Sequence, residues 1–198
     1  MPMTPSTMLE LGTPLPRFEL PDVEGVRVSS SRFQDAAALL VVFMCPHCPV
    51  VKHIRNAFGR FAREYQPKGL AIVGINSNDV VAFPDDDIEG MRDEIVRVGY
   101  TFPYLVDSSQ HVAKAFHAAC TPDFFLFDGD RKLAYRGQFD DSRPGNQLPL
   151  TGADLQDAVD AVLDGRMPSL HQKPSVGCNI KWKVGNEPEY FNNFARVR

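Results

Sequence analysis

The chain has 198 residues, a hydrophobic fraction of 43%, a charged fraction of 23% and a formal net charge of -4. That length suits one hydrophobic core rather than two independent domains, and the acidic balance argues against a general nucleic-acid binder. With no basic and apolar leader and no apolar run of transmembrane length, the expectation is a cytoplasmic protein acting on proteins or small molecules, without nucleic-acid or membrane partners.

Phe18-Glu19-Leu20 and Val26-Arg27-Val28 flank the turn-rich Pro21-Asp22-Val23-Glu24-Gly25, which predicts a small N-terminal hairpin. Ala36 to Met44 and Leu70 to Ile75 are nearly all apolar, as in central parallel strands covered on both faces. Between them Val50, Ile54, Phe58, Phe61 and Tyr65 recur at helical spacing opposite Lys52, Arg55, Arg60 and Arg63, giving an amphipathic crossover helix. Ile88 to Val98 reads as a second helix with Asp85-Asp86-Asp87 at its N-terminus. A short extended piece follows at Phe102 to Val106, then a helix over Ser109 to His117. Asp123 to Phe127 and Lys132 to Arg136 form a hairpin around Asp128-Gly129-Asp130, and Asp154 to Leu163 is the last helix. Residues 1–167 are therefore taken as the domain and 168–198 as an irregular extension packed on it through Trp182, Tyr190, Phe191 and Phe194.

Cys45-Pro46-His47-Cys48 falls where the first apolar strand meets the crossover helix. A cysteine in the first turn of a helix meets unpaired N–H groups and the positive end of the macrodipole, which favour thiolate. A second cysteine three residues on is within reach of a disulfide. Four unevenly spaced cysteines do not make a secreted disulfide scaffold, and in a reducing compartment a C-x-x-C pair is redox-active or metal-binding more often than structural. His47 can tune the thiols or move a proton. His53 reads as a flank residue, and Pro49 removes one backbone donor from the first turn. Cys120 reads either as a small buried apolar residue or as an additional redox cysteine beside Thr121-Pro122. Cys178 reads as inert, as a partner of Cys120, or as a resolving thiol. The loop Asp140 to Asn146, with Asp141 and Arg143, suits either a solvated turn or a cover over the site edge.

The order strand, C-x-x-C, helix, parallel strand, helix, X-Pro, hairpin and helix resembles a thioredoxin fold. The chain is similar to the redoxin branch of that fold, the alkyl hydroperoxide reductase and thiol-specific antioxidant superfamily. Within it the chain resembles a peroxiredoxin-like group with C-x-H-C-P-x-V-K-H, A-C-T-P-D-F-F-L-F-D, Y-R-G-Q-F-D-D-S-R-P-G-N and G-C-N-I-K-W-K segments. These are Cys45 to His53, Ala119 to Asp128, Tyr135 to Asn146 and Gly177 to Lys183. The resemblance implies an α/β fold with a central mixed sheet flanked by helices, an N-terminal hairpin and an inserted helix. It makes Cys45 the attacking thiol, Cys48 the resolving thiol and Pro122 a cis-proline facing the dithiol, with Thr121 presenting backbone groups to a substrate chain.

Two departures from peroxiredoxins stand out. Val42 replaces the hydroxyl residue three positions before the peroxidatic cysteine, and the usual arginine has no match unless Arg136 or Arg143 substitutes for it. Compared with thioredoxin, Met44 replaces a tryptophan, while Pro46-His47 resembles the middle pair of bacterial disulfide oxidases. The leading expectation is a thiol–disulfide oxidoreductase without cofactor or bound metal, exchanging with a disulfide-containing protein or small thiol and recharged by a cellular thiol reductant. The alternatives are a thiol-dependent peroxidase of antioxidant type, and a non-enzymatic zinc-binding or redox-sensing module built on Cys45, Cys48 and His47 or His53.

Overall fold

A computed structural model of the chain describes residues 3–191. In chain order the elements are β1 (Met3–Pro5), β2 (Glu19–Pro21), β3 (Arg27–Ser29), β4 (Ala38–Phe43), α1 (Pro49–Tyr65), β5 (Leu70–Asn76) and α2 (Ile88–Val98). There follow β6 (Tyr104–Val106), α3 (His111–Ala115), β7 (Cys120–Thr121), β8 (Asp123–Phe127), β9 (Leu133–Gly137), α4 (Ala153–Leu163) and β10 (Val176–Asn179).

The main sheet runs β6-β5-β4-β8-β9, with β4 parallel to β5, β5 parallel to β6, and β8 antiparallel to both β4 and β9. It is the mixed α/β sheet of a thioredoxin-like fold, and β2 and β3 form the expected N-terminal hairpin beside it. Because successive side chains of a strand point to opposite faces, β4 supplies two cores at once. Leu40 and Val42 face the layer that contains α1, α2 and α4, while Leu39, Val41 and Phe43 face the layer built from the hairpin, α3 and the tail residues Ile180 and Trp182. That explains why the strand is apolar throughout.

The crossover helix follows from the spacing of its apolar positions. Val50, Val51, Ile54, Phe58, Phe61 and Tyr65 are all buried. Phe58 sits among the rings of Phe61, Tyr100, Phe102, Phe124 and Phe139. Truncating a ring so enclosed costs about 3 to 5 kcal/mol. The helix ends through a short 3-10 turn at Gln66–Lys68, closed by Gly69 at φ 103°, a conformation that glycine adopts without steric cost.

Two expectations change here. Helix α3 covers only His111–Ala115, shorter than the span Ser109 to His117. The extension expected to be irregular carries β10, which pairs antiparallel with β1 on one side and with β7 on the other. The sequence around β10 lacks the alternation of a long strand, and its pairing with the other end of the chain leaves no local signature. Beyond it Trp182 and Tyr190 pack edge to face, with ring centroids 6.4 Å apart, and Tyr190 Oη donates to Ala118 O at 3.0 Å. Phe191 packs against the same core, and Phe194 lies outside the described residues. No described helix is long and apolar enough to cross a membrane.

Candidate active site

Helix α1 starts at Pro49, so Cys48, not Cys45, is the cap at its N-terminus. Pro49 takes the first helical position, where a missing N–H costs nothing, and Lys52 N donates to Cys48 O at 2.9 Å in an ordinary helical bond. The proline therefore causes no distortion. Cys45 precedes the helix by a two-residue turn and is buried completely, as is Cys48. The helix-dipole reasoning consequently applies to Cys48 rather than to Cys45.

Cys45 Sγ lies 3.6 Å from Thr121 Oγ1 and 3.8 Å from His47 Nδ1. Cys48 Sγ donates to Thr121 O at 3.1 Å. The Thr121–Pro122 peptide bond is cis, as the resemblance implies, and Thr121 touches both members of the dithiol. Its backbone does not stand open at this point, because β10 occupies the edge of β7 with Cys178 as the register partner of Thr121.

Cys178 completes a cluster of three sulfurs. Hydrogen bonds from Cys178 first, and from Cys45 second, hold the Cys48 thiol well below its usual range. The same bond to Cys48, together with burial, pushes the Cys178 thiol up. Burial is the main cause that pushes Cys45 up, followed by its bond to Cys48, while the Thr121 hydroxyl acts in the opposite direction. Within the cluster the lowering influences therefore fall on Cys48, and the raising ones on Cys45 and Cys178. The low-pKa thiol expected at Cys45 is corrected accordingly. Cys120, buried on the neighbouring strand position, turns instead toward Pro122 O at 3.7 Å and Ser175 O at 3.9 Å.

His47 is held by Asp86, a residue not singled out for this role by its sequence context. Asp86 Oδ1 accepts from the His47 backbone N–H at 3.0 Å, and Asp86 Oδ2 pairs with His47 Nδ1. The carboxylate also accepts from Asn78 Nδ2 at 2.8 Å and is completely buried. Of the three aspartates before α2, Asp87 caps the helix by accepting from Gly90 N, while Asp86 turns inward. On the far side the imidazole stacks on Phe83, with ring centroids 5.7 Å apart and planes 10° apart. Orientation of the ring is therefore fixed on two sides.

Cys45, His47 and Asp86 offer sulfur, nitrogen and oxygen atoms that all lie within 4.8 Å of one another, a donor set that zinc accepts. His53 does not join them, since its Nε2 pairs with Ser142 Oγ at 2.8 Å. A cleft of about 370 Å³ opens beside Pro46 and His47, lined among others by Lys52, Arg55, Glu94 and Arg97.

The other candidates lie elsewhere. Arg143 donates to Asp140 O, Ser142 O and Gln138 Oε1, and Asp141 pairs with Lys173 at 2.6 Å and accepts from Gln138. These contacts fold the loop onto itself, and among the described residues neither side chain hydrogen-bonds a thiol. Arg136 donates to Gln172 Oε1, so it does not supply the arginine of a peroxidase site. Val42 is buried in the centre of β4.

The AhpC/TSA family model matches residues 11–136. Among solved structures, a hypothetical protein of Sinorhizobium meliloti 1021 is 53% identical, with a TM-score of 0.90 over 92% of this chain and 100% of its own. An uncharacterized conserved protein of Geobacillus kaustophilus is 49% identical, also at 0.90, over 92% of this chain and 97% of its own. A thiol:disulfide interchange protein DsbE of Chlorobium tepidum, so described as a provisional assignment, shares the fold at 19% identity and a TM-score of 0.62, over 78% of this chain and 99% of its own. No curated protein matches the chain.

Proposed function

Taking as premise that the chain belongs to the AhpC/TSA family, we propose that it is a thiol–disulfide oxidoreductase working through Cys45 and Cys48. The observation that carries this reading is the pairing of a buried dithiol with one residue, Thr121, whose hydroxyl faces one sulfur and whose carbonyl faces the other.

Loss of the Cys45 proton to solvent, with Cys48 keeping its own, frees Cys45 to attack one sulfur of a substrate disulfide. A bond forms between Cys45 and that sulfur, the substrate S–S bond breaks, and the departing thiolate receives the proton held by Cys48. Cys48, now a thiolate, attacks the Cys45 sulfur and expels the second half of the substrate as its thiolate. One disulfide has been exchanged for another, and a cellular thiol reductant restores the dithiol. The Thr121 hydroxyl steadies the developing Cys45 thiolate, and Asp86 holds His47 beside it.

The assay that tests the proposal compares turnover of a disulfide peptide with turnover of hydrogen peroxide, each with excess thiol reductant. Disulfide reduction should dominate and should vanish in Cys45→Ser. Peroxide turnover as the larger activity, retained in Cys48→Ser, would support the peroxidase reading and remove this one.

The grouping of Cys45, His47 and Asp86 favours a second reading, a zinc-binding module without turnover. Stoichiometric zinc in protein purified without added metal, lost in Asp86→Asn, would support it. A reversible Cys45–Cys48 disulfide in zinc-free protein would dismiss it.

A further inference from the structure

Strand β10 brings a third cysteine to the dithiol. Cys178 stands opposite Thr121 in the β10–β7 register, and Thr121 O is the atom to which Cys48 Sγ donates at 3.1 Å. The approach is this close because residue 177 is glycine: a Cβ there would overlap Thr121 O. Cys178 is 3% exposed and packs in the same core cluster as Cys45 and Cys48. Cys48 and Cys178 therefore meet at Thr121, the first through the Thr121 carbonyl and the second as the residue's strand partner. Cys120 does not belong to this line, since its sulfur faces backbone carbonyls.

We propose that Cys178 is a third redox thiol, which takes Cys48 out of the Cys45–Cys48 disulfide and closes a Cys48–Cys178 disulfide in its place. The inference rests on the exchange cycle proposed above. In the oxidised protein the Cys178 sulfur attacks Cys48 Sγ, a Cys48–Cys178 bond forms, and the Cys45–Cys48 bond breaks. Cys45 leaves as thiolate and takes the proton given up by Cys178. One disulfide replaces another, so the step needs no oxidant or reductant. The oxidised bond now ties β10 to the start of α1, and Cys45 is a thiol again. A small-molecule or protein thiol then reduces the Cys48–Cys178 bond, itself becoming the disulfide.

The test uses the full chain, oxidised with glutathione disulfide, alkylated at intervals and mapped as peptides without reduction. In the wild type the Cys45–Cys48 linkage should appear first and the Cys48–Cys178 linkage should grow at its expense. Cys45→Ser should close Cys48 to Cys178 with loss of two thiols, and Cys120→Ser should behave as the wild type. Natively folded Cys45→Ser in which Cys48 and Cys178 never join would overturn the proposal. Should Cys45→Ser not fold, the wild type decides alone: a persistent Cys45–Cys48 bond with Cys178 alkylatable throughout would also overturn it. Cys178→Ser separates this inference from the cycle beneath it, because that variant should still form Cys45–Cys48, and its failure to do so would count against the exchange reading itself.

Discussion

Thr121 Oγ1 lies 3.6 Å from Cys45 Sγ, which makes it the hydroxyl partner of a thiol that burial otherwise pushes up. Replacing Thr121 with valine keeps the branched shape and removes the donor. The Cys45 thiol should titrate at higher pH, and its alkylation at neutral pH should slow by about tenfold for every pH unit by which that titration moves. Rate against pH, followed on the Cys45 peptide by mass, reads this directly. An unchanged profile would mean that the Thr121 hydroxyl does not steady the Cys45 thiolate.

Asp86 acts on Cys45 in two ways: it orients His47, and its charge adds to the causes that push the Cys45 thiol up. Asp86→Asn should move the alkylation profile of Cys45 to lower pH, because a negative charge is gone. Turnover of a disulfide peptide should nevertheless fall, since the imidazole loses its anchor. A move to higher pH would contradict the electrostatic part, and full turnover would contradict the positioning part.

Gly177 determines whether β10 can reach the site. In Gly177→Ala the new Cβ overlaps Thr121 O, and the nearest atoms around it are all backbone. Denaturant unfolding should show a loss of at least about 1 to 3 kcal/mol, the usual cost of overpacking. Cys178 should become more readily alkylated in the native state as the strand lifts away. Wild-type stability with Cys178 still protected would mean that the strand is not held as described.

Glu94 is 4% exposed, and among the described residues neither of its carboxylate oxygens has a hydrogen-bond partner. Burial pushes it up to about 7, with Arg55 opposing and Asp86 reinforcing the effect. A carboxyl raised in the folded state keeps its proton there while the unfolded chain has lost it. Stability should therefore fall as pH rises from about 4.5 to about 7, by up to about 3 kcal/mol, and level off above. Glu94→Gln should abolish that decline and be the more stable protein at pH 8, as unfolding curves at several pH values would show. A decline of equal size in the variant would assign it to another group.

The parts of this molecule that depend on local pattern are legible in its sequence. The apolar runs locate β4 and β5, and the three- and four-residue spacing of Val50, Ile54, Phe58, Phe61 and Tyr65 locates α1. Helix α2 begins and ends where its periodicity says it should, at Ile88 and Val98. What depends on pairing across the chain is not legible. Strands β1 and β10 are three and four residues long and come from opposite ends, so neither has enough alternation to announce itself. Asp86 resembles any acid ahead of a helix, and only its fold position turns it toward His47, 39 residues away. A cap needs one aspartate, and the run of three is the signal that points to a second role. Cys178 is visible as a candidate, but its neighbour is Cys48, reached through β7, and no spacing along the chain encodes that contact.

The central claim is that Cys45 attacks and Cys48 resolves, and one measurement addresses it most directly. The double variant Cys48→Ser, Cys178→Ser, which lacks both neighbouring thiols, is mixed with glutathione disulfide and its intact mass and modified peptide are recorded. The expected product carries one glutathione per chain, attached to Cys45 and stable until an external thiol is added. A protein that stays unmodified at Cys45 while remaining folded would contradict the claim.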